Sequence, residues 1–255
     1  MDLYMRKMGA GPPMVILHGL FGSGDNMLSL ARYYSRFYEV FLPDMRNHGR
    51  SAHSDVMNYF AMADDILNFF ISQEIESAIL IGHSMGGKAA MQFASDNEAF
   101  VEKLIVADIG VKAYPLRHML YIEALLTTDF DSLLSREAVA NHFRETISQE
   151  GVVQLFLKNL EWKNNKRLGW RLNAPALYSN IDNILEAIVP DNPFNKPTLF
   201  LKGVLSDYIL EEDAAAIKKQ FPMMQLEKIE GATHWLHADN FDGVTAAIDK
   251  FLGDV

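Results

Sequence analysis

The segment Gly82-His83-Ser84-Met85-Gly86 constrains this chain more than any other. It follows an apolar run, Ala78-Ile79-Leu80-Ile81, and precedes a helix-like stretch over residues 87–94. Strand, tight turn and helix together form the setting of a nucleophile elbow, in which a serine stands at the tip of a sharp turn. A bulky neighbour of that serine would collide with the strand or the helix, and glycine at both flanks removes the collision. Taken alone such a pentapeptide is an ordinary β–α turn about as often as an elbow, so its meaning depends on the rest of the chain.

Around it, short apolar strands alternate with helical patterns. This predicts an α/β fold, a mostly parallel central sheet flanked by helices. Strands are expected at 14–17, 38–42, 77–81, 101–107, 197–201 and 225–229, and helices at 59–71 and 241–252. Between Lys112 and Pro190 the alternation stops. Helical patterns at 116–126, 136–146 and 152–160 come with little strand signal, and about eighty residues is long for one crossover. The chain therefore divides into a core domain, residues 1–111 and 191–255, and an inserted helical cap, residues 112–190. The cap holds the densest aromatic and basic mixture, including Trp162, Lys163, Lys166, Arg167, Trp170 and Arg171.

Composition narrows what such a fold does. A formal net charge of −10 repels nucleic acid and anionic membranes, so neither is expected as a partner. The chain has no cysteine, which rules out thiolate catalysis, disulfides and cysteine-held metals. Residues 1–7 lack an apolar run of signal-peptide length, and no apolar stretch approaches a membrane span, so a cytoplasmic protein is expected.

Functional loops of an open α/β sheet collect at the carboxyl ends of its strands. Ser84, Asp108, Ser206, Asp207, His234 and the loop from His18 all follow expected strands. Ser84 is the candidate nucleophile; a free hydroxyl is a weak one and needs a general base within hydrogen-bond reach. His234, after the last strand, is the candidate base, and His237 is its local competitor. The oxyanion formed on the attacked carbonyl needs backbone N–H donors already aimed at it. These are expected from Met85, next to the nucleophile, and from Leu20 in the His18 loop, with Phe21 as the alternative. Asp44, Arg46, Asn47 and His48 are read as a structural polar loop. The cap cations Arg117, His118, Lys166 and Arg171 are read as solvated helix faces rather than contacts to an anionic headgroup.

Five segments, in order along the chain, resemble the α/β-hydrolase superfamily and, within it, the YbfF-like esterases. They are His18-Gly19-Leu20-Phe21-Gly22-Ser23, Asp44-Met45-Arg46-Asn47-His48-Gly49-Arg50-Ser51, Gly82-His83-Ser84-Met85-Gly86-Gly87-Lys88, Val106-Ala107-Asp108-Ile109 and Gly231-Ala232-Thr233-His234-Trp235. The resemblance spans the core and leaves the cap unmatched. It implies a carboxylic-ester hydrolase with a Ser-His-Asp triad and an acyl-enzyme intermediate. The substrate would be a small-molecule ester or an acyl thioester such as acyl-CoA, with no cofactor and no metal.

The resemblance leaves the acid in two places. In most of the superfamily it lies three residues after the glycine that ends the penultimate strand. Counting from Gly203, that position is Ser206, and Asp207 comes one residue late. The other known location is the end of the preceding sheet strand, here Asp108, and YbfF-like members pair that aspartate with a serine at the later site. Asp108 is preferred, with Ser206 as a bridging partner and Asp207 as the alternative acid. Dehalogenases and epoxide hydrolases of this fold need a carboxylate where Ser84 stands. A carbon–carbon bond hydrolase or lyase of the same fold, and a ligand-binding homologue without turnover, are the alternatives.

Overall fold

The computed structural model describes residues 1–116, 119–163 and 166–253. The strands of its main sheet are β1 (Met5–Met8), β2 (Pro13–Leu17), β3 (Glu39–Pro43), β4 (Ala78–His83), β5 (Val101–Ala107), β8 (Thr198–Gly203) and β9 (Met224–Ile229). They lie in the order β1-β3-β2-β4-β5-β8-β9. Within this sheet, among the described residues, only the β1–β3 pairing is antiparallel. Strand β4, in the middle, is buried along its whole length, as a parallel sheet covered on both faces requires.

Side chains of a strand alternate between faces, and this alternation divides the interior in two. Val15 and Leu17 of β2 join Leu80 and Val106 in a core beneath α2 (Tyr59–Ser72) and α3 (Met85–Asp96). Met14 and Ile16 join Ile79, Ile81 and Ile105 in a second core beneath α1 (Leu28–Tyr34) and α11 (Phe241–Leu252). The short helices α9 (Ala214–Gln220) and α10 (Leu236–Asp239) complete the connections around β9.

Between β5 and β8 the chain forms α4 (Met119–Leu126), α5 (Arg136–Arg144), α6 (Glu150–Lys158), α7 (Ala174–Ser179) and α8 (Ile181–Leu185). It also forms a hairpin of β6 (Leu160–Trp162) and β7 (Leu168–Trp170). The hairpin and β1 are strands that periodicity did not predict. β6 and β7 have three residues each, too few to show a period, and β1 carries Arg6 and Lys7 on a half-covered edge. The outgoing and returning chain are joined by Tyr114 N–H to the Leu185 carbonyl and Ile188 N–H to the Val111 carbonyl, both 2.8 Å. Arg117 and His118 lie outside the described residues. Arg171 pairs with Glu161 at 3.1 Å, and Lys166 is exposed.

Candidate active site

Strand β4 ends at His83 and α3 begins at Met85, so Ser84 alone makes the turn. Its backbone sits at φ 53°, ψ −119°, a conformation that costs a non-glycine residue on the order of 1–3 kcal/mol. Two glycines make room for it. A Cβ on Gly82 would stand 2.3 Å from the Gly86 carbonyl oxygen, and one on Gly86 would stand 2.5 Å from that of His18.

His234 Nε2 lies 3.0 Å from Ser84 Oγ, and its Nδ1–H donates to Asp108 Oδ2 at 2.8 Å. Asp108 is fully buried just past β5, with a φ of 51°, a left-handed conformation that aspartate tolerates better than most residues. Its Oδ1 accepts from Gly203 N–H at 3.0 Å, and its Oδ2 also accepts from the Ser206 hydroxyl. Three donors from two segments, 203–206 and the His234 loop, thus converge on one carboxylate. Asp207 is exposed and lines the outer cleft. The structure therefore brings Ser84, His234, Asp108 and Ser206 together, and it is Asp108 that meets the imidazole.

His83 donates from Nε2–H to the His234 carbonyl at 2.8 Å. Burial holds its imidazole well below the ordinary 6.5, and the neighbouring His234 and His237 add to this, so it is neutral. His237, on α10, has its ring 5.0 Å from that of His83. Of the expected oxyanion donors, Phe21 N–H is occupied, donating to His48 Nε2 at 3.1 Å. Among the described residues neither the Leu20 nor the Met85 N–H has an acceptor. The Met85 donor also opens α3, where the first-turn amides lack intrahelical partners and the helix dipole favours negative charge.

The polar loop is bound into the fold by its own hydrogen bonds. Asp44 accepts from Gly24 and Arg50 N–H at 2.7 and 2.9 Å. Arg46 pairs with buried Asp65 at 2.6 Å. His18 Nε2 accepts from Met45 N–H at 2.9 Å while its Nδ1–H donates to Gly19. Burial pushes His18 down to about 4 and His48 to about 3.

Sequence reasoning passed over two residues. Tyr208 stacks on His234, with centroids 3.7 Å apart and planes 14° from parallel. No local pattern marks it. Lys88 stands one helical turn past Ser84 and is 1% exposed. It donates to the carbonyls of Lys112, at 2.9 Å, and Glu186, between the rings of Tyr59 and Tyr114. Burial pushes its ammonium down to about 7. Its spacing of four from Ser84, on the same face of a helix, was the available signal.

Two spaces meet at Ser84. One, with a cavity volume of about 30 Å³, runs between Tyr59, Lys88, Tyr114 and Ile184. The other, with a cavity volume of about 40 Å³, lies between Phe21, His83, Tyr121, His234 and Trp235.

A family model described as alpha/beta hydrolase fold matches residues 12–241. Esterase YbfF of Escherichia coli K12 is 36% identical over 245 residues, which is 95% of this chain and 93% of that protein. An sn-1-specific diacylglycerol lipase of Danio rerio, ABHD11, is 36% identical over 253 residues, which is 96% of this chain and 79% of that protein. Among solved structures, a marine microorganism esterase superposes with a TM-score of 0.94 at 41% identity, covering 100% of this chain and 99% of that one.

Proposed function

The chain belongs to the α/β-hydrolase family, as a serine ester hydrolase, and from that premise we propose that it cleaves small-molecule carboxylic esters through an acyl-enzyme on Ser84. The observation that carries this reading is the continuous hydrogen-bonded path from Ser84 Oγ through His234 to Asp108. As Oγ attacks the carbonyl carbon, His234 Nε2 takes its proton. Asp108 holds the Nδ1–H tautomer and stabilises the imidazolium. The N–H groups of Leu20 and Met85 receive the oxyanion. When the tetrahedral centre collapses, Nε2–H protonates the departing oxygen. Water, deprotonated by the same nitrogen, then attacks the acyl-enzyme and restores Ser84.

The direction of that proton divides the substrate. The leaving group must lie beside His234, so it takes the space bordered by His83, His234 and Trp235. The acyl group takes the space that ends at Tyr59 and Lys88. That space is tight, with a cavity volume of only about 30 Å³, which favours short acyl chains. A thiol leaving group obeys the same steps, so acyl thioesters belong in the same test.

Hydrolysis of p-nitrophenyl esters and acyl-CoA thioesters of increasing chain length, by wild type and Ser84→Ala, tests the reading. The expected result is a rate that falls with chain length and drops by about 10⁴ or more in the variant. Activity that survives Ser84→Ala sinks the acyl-enzyme. A folded protein that turns over no ester restores the carbon–carbon hydrolase and ligand-binding readings.

A further inference from the structure

Resting on the Ser84–His234–Asp108 reading, we propose that Tyr208 is a positioning residue for His234, whose ring fixes the tilt of the imidazole and supports the imidazolium formed in each half-reaction. His234 makes two hydrogen bonds, at Nδ1 and Nε2, and an imidazole's N–H and lone pair lie in the plane of its ring. The two bonds leave the ring free to rock about the line joining them. A flat ring 3.7 Å away and 14° from parallel blocks that motion on one side. His83 also packs against the ring, 4.9 Å away and tilted by 40°, anchored by its bond to the His234 carbonyl.

Tyr208 is itself held. Its N–H donates to Ser206 Oγ at 3.2 Å, and its carbonyl accepts from the Tyr114 hydroxyl at 2.8 Å. The same hydroxyl accepts from Gly110 N–H at 2.7 Å, and the Tyr114 ring stacks on Tyr208 at 5.2 Å. One oxygen thus ties the loop two residues past Asp108 to the loop two residues past Ser206. The stacked pair stands on this bridge as a unit.

Electrostatics point the same way. The face of an aromatic ring carries partial negative charge and attracts a cation within about 6 Å. The groups around His234 are Asp108 past β5, Ser84 and His83 at the end of β4, Ser206 and Tyr208 past β8, and Trp235 with His237 beyond it on α10. His83 is neutral, so Asp108 supplies the negative charge facing the imidazolium and Tyr208 the aromatic face.

The test compares Tyr208→Phe with Tyr208→Leu, reading kcat, KM, the pH–rate profile and the low-field proton resonance of His234 Nδ1–H. Tyr208→Phe keeps the face and is expected within about two-fold of wild type. Tyr208→Leu is expected to lower kcat by about ten-fold. It should also move the acid limb of the profile to lower pH and broaden the resonance as the loosened ring exchanges with water. If Tyr208→Leu folds poorly, Tyr208→Met carries the same expectation. A variant lacking the ring that changes KM alone, with kcat, acid limb and resonance unmoved, makes Tyr208 a pocket wall and overturns the proposal. Ser84→Ala in parallel separates the two readings, since its activity reports on the triad and not on the stack.

Discussion

Replacing Asp108 by asparagine keeps the size of the side chain and removes the charge opposite His234 Nδ1. It also offers an amide where the histidine needs an acceptor, so kcat should fall by about 10⁴ with the circular dichroism spectrum unchanged. Asp207→Asn, at an exposed position, should stay within a few-fold of wild type. The opposite pattern in the same assay would move the acid to Asp207. The serine and the histidine were legible because each is fixed locally, Ser84 by its glycines and His234 by its place after the last strand. The acid was harder. Asp108 and Asp207 both follow strands, and a one-residue offset decides nothing until the loop is folded. Tyr208 was invisible for a stronger reason, since stacking between residues 208 and 234 has no trace in either neighbourhood.

Elements meet at this site through buried amides as well as apolar faces. Asn159, at the end of α6 and 2% exposed, donates from Nδ2 to the Phe21 carbonyl at 2.7 Å. Phe21 has a φ of 63°, so the loop carrying Leu20 is held in a shape it would not choose unaided. Asn159→Ala removes a buried donor to that carbonyl at a cost of about 1–3 kcal/mol. The expected outcome is a lower Tm together with a lower kcat, measured by thermal unfolding and ester hydrolysis. A lower Tm with unchanged kcat would confine Asn159 to packing. At this scale the buried parallel strands and the helix at 241–252 were readable, because apolar runs and 3.6-residue periods survive translation into contacts. The edge strand β1 and the three-residue strands of the hairpin were not, since their partners rather than their own patterns make them strands.

Across the whole molecule, buried neutral histidines tie stability to pH. His18 and His48 are fully buried, pushed down to about 4 and about 3 from an unfolded value of about 6.5. Below pH 6.5 the unfolded chain binds protons that the folded chain refuses. Stability is therefore at its full value above that pH and is lost as pH falls toward 4. Each group contributes up to about 1.4 kcal/mol per pH unit across the window. Tm measured between pH 7 and 4.5 should fall, and less steeply in His48→Gln, which keeps an acceptor near Phe21 N–H. A flat Tm across that range would contradict the neutral assignment. The fold class and the order of its segments were legible because they follow from alternation along the chain. The seam between Val111 and Ile188 was not, because it joins points far apart in sequence. For the sheet, that seam makes everything between β5 and β8 a branch of almost no span. Lengthening or exchanging the branch does not stretch the frame that holds Ser84 and His234. The chain is thus built as a socket, in which any grafted branch must also replace the struts that Asn159 and Tyr114 extend to the loops around Ser84 and His234.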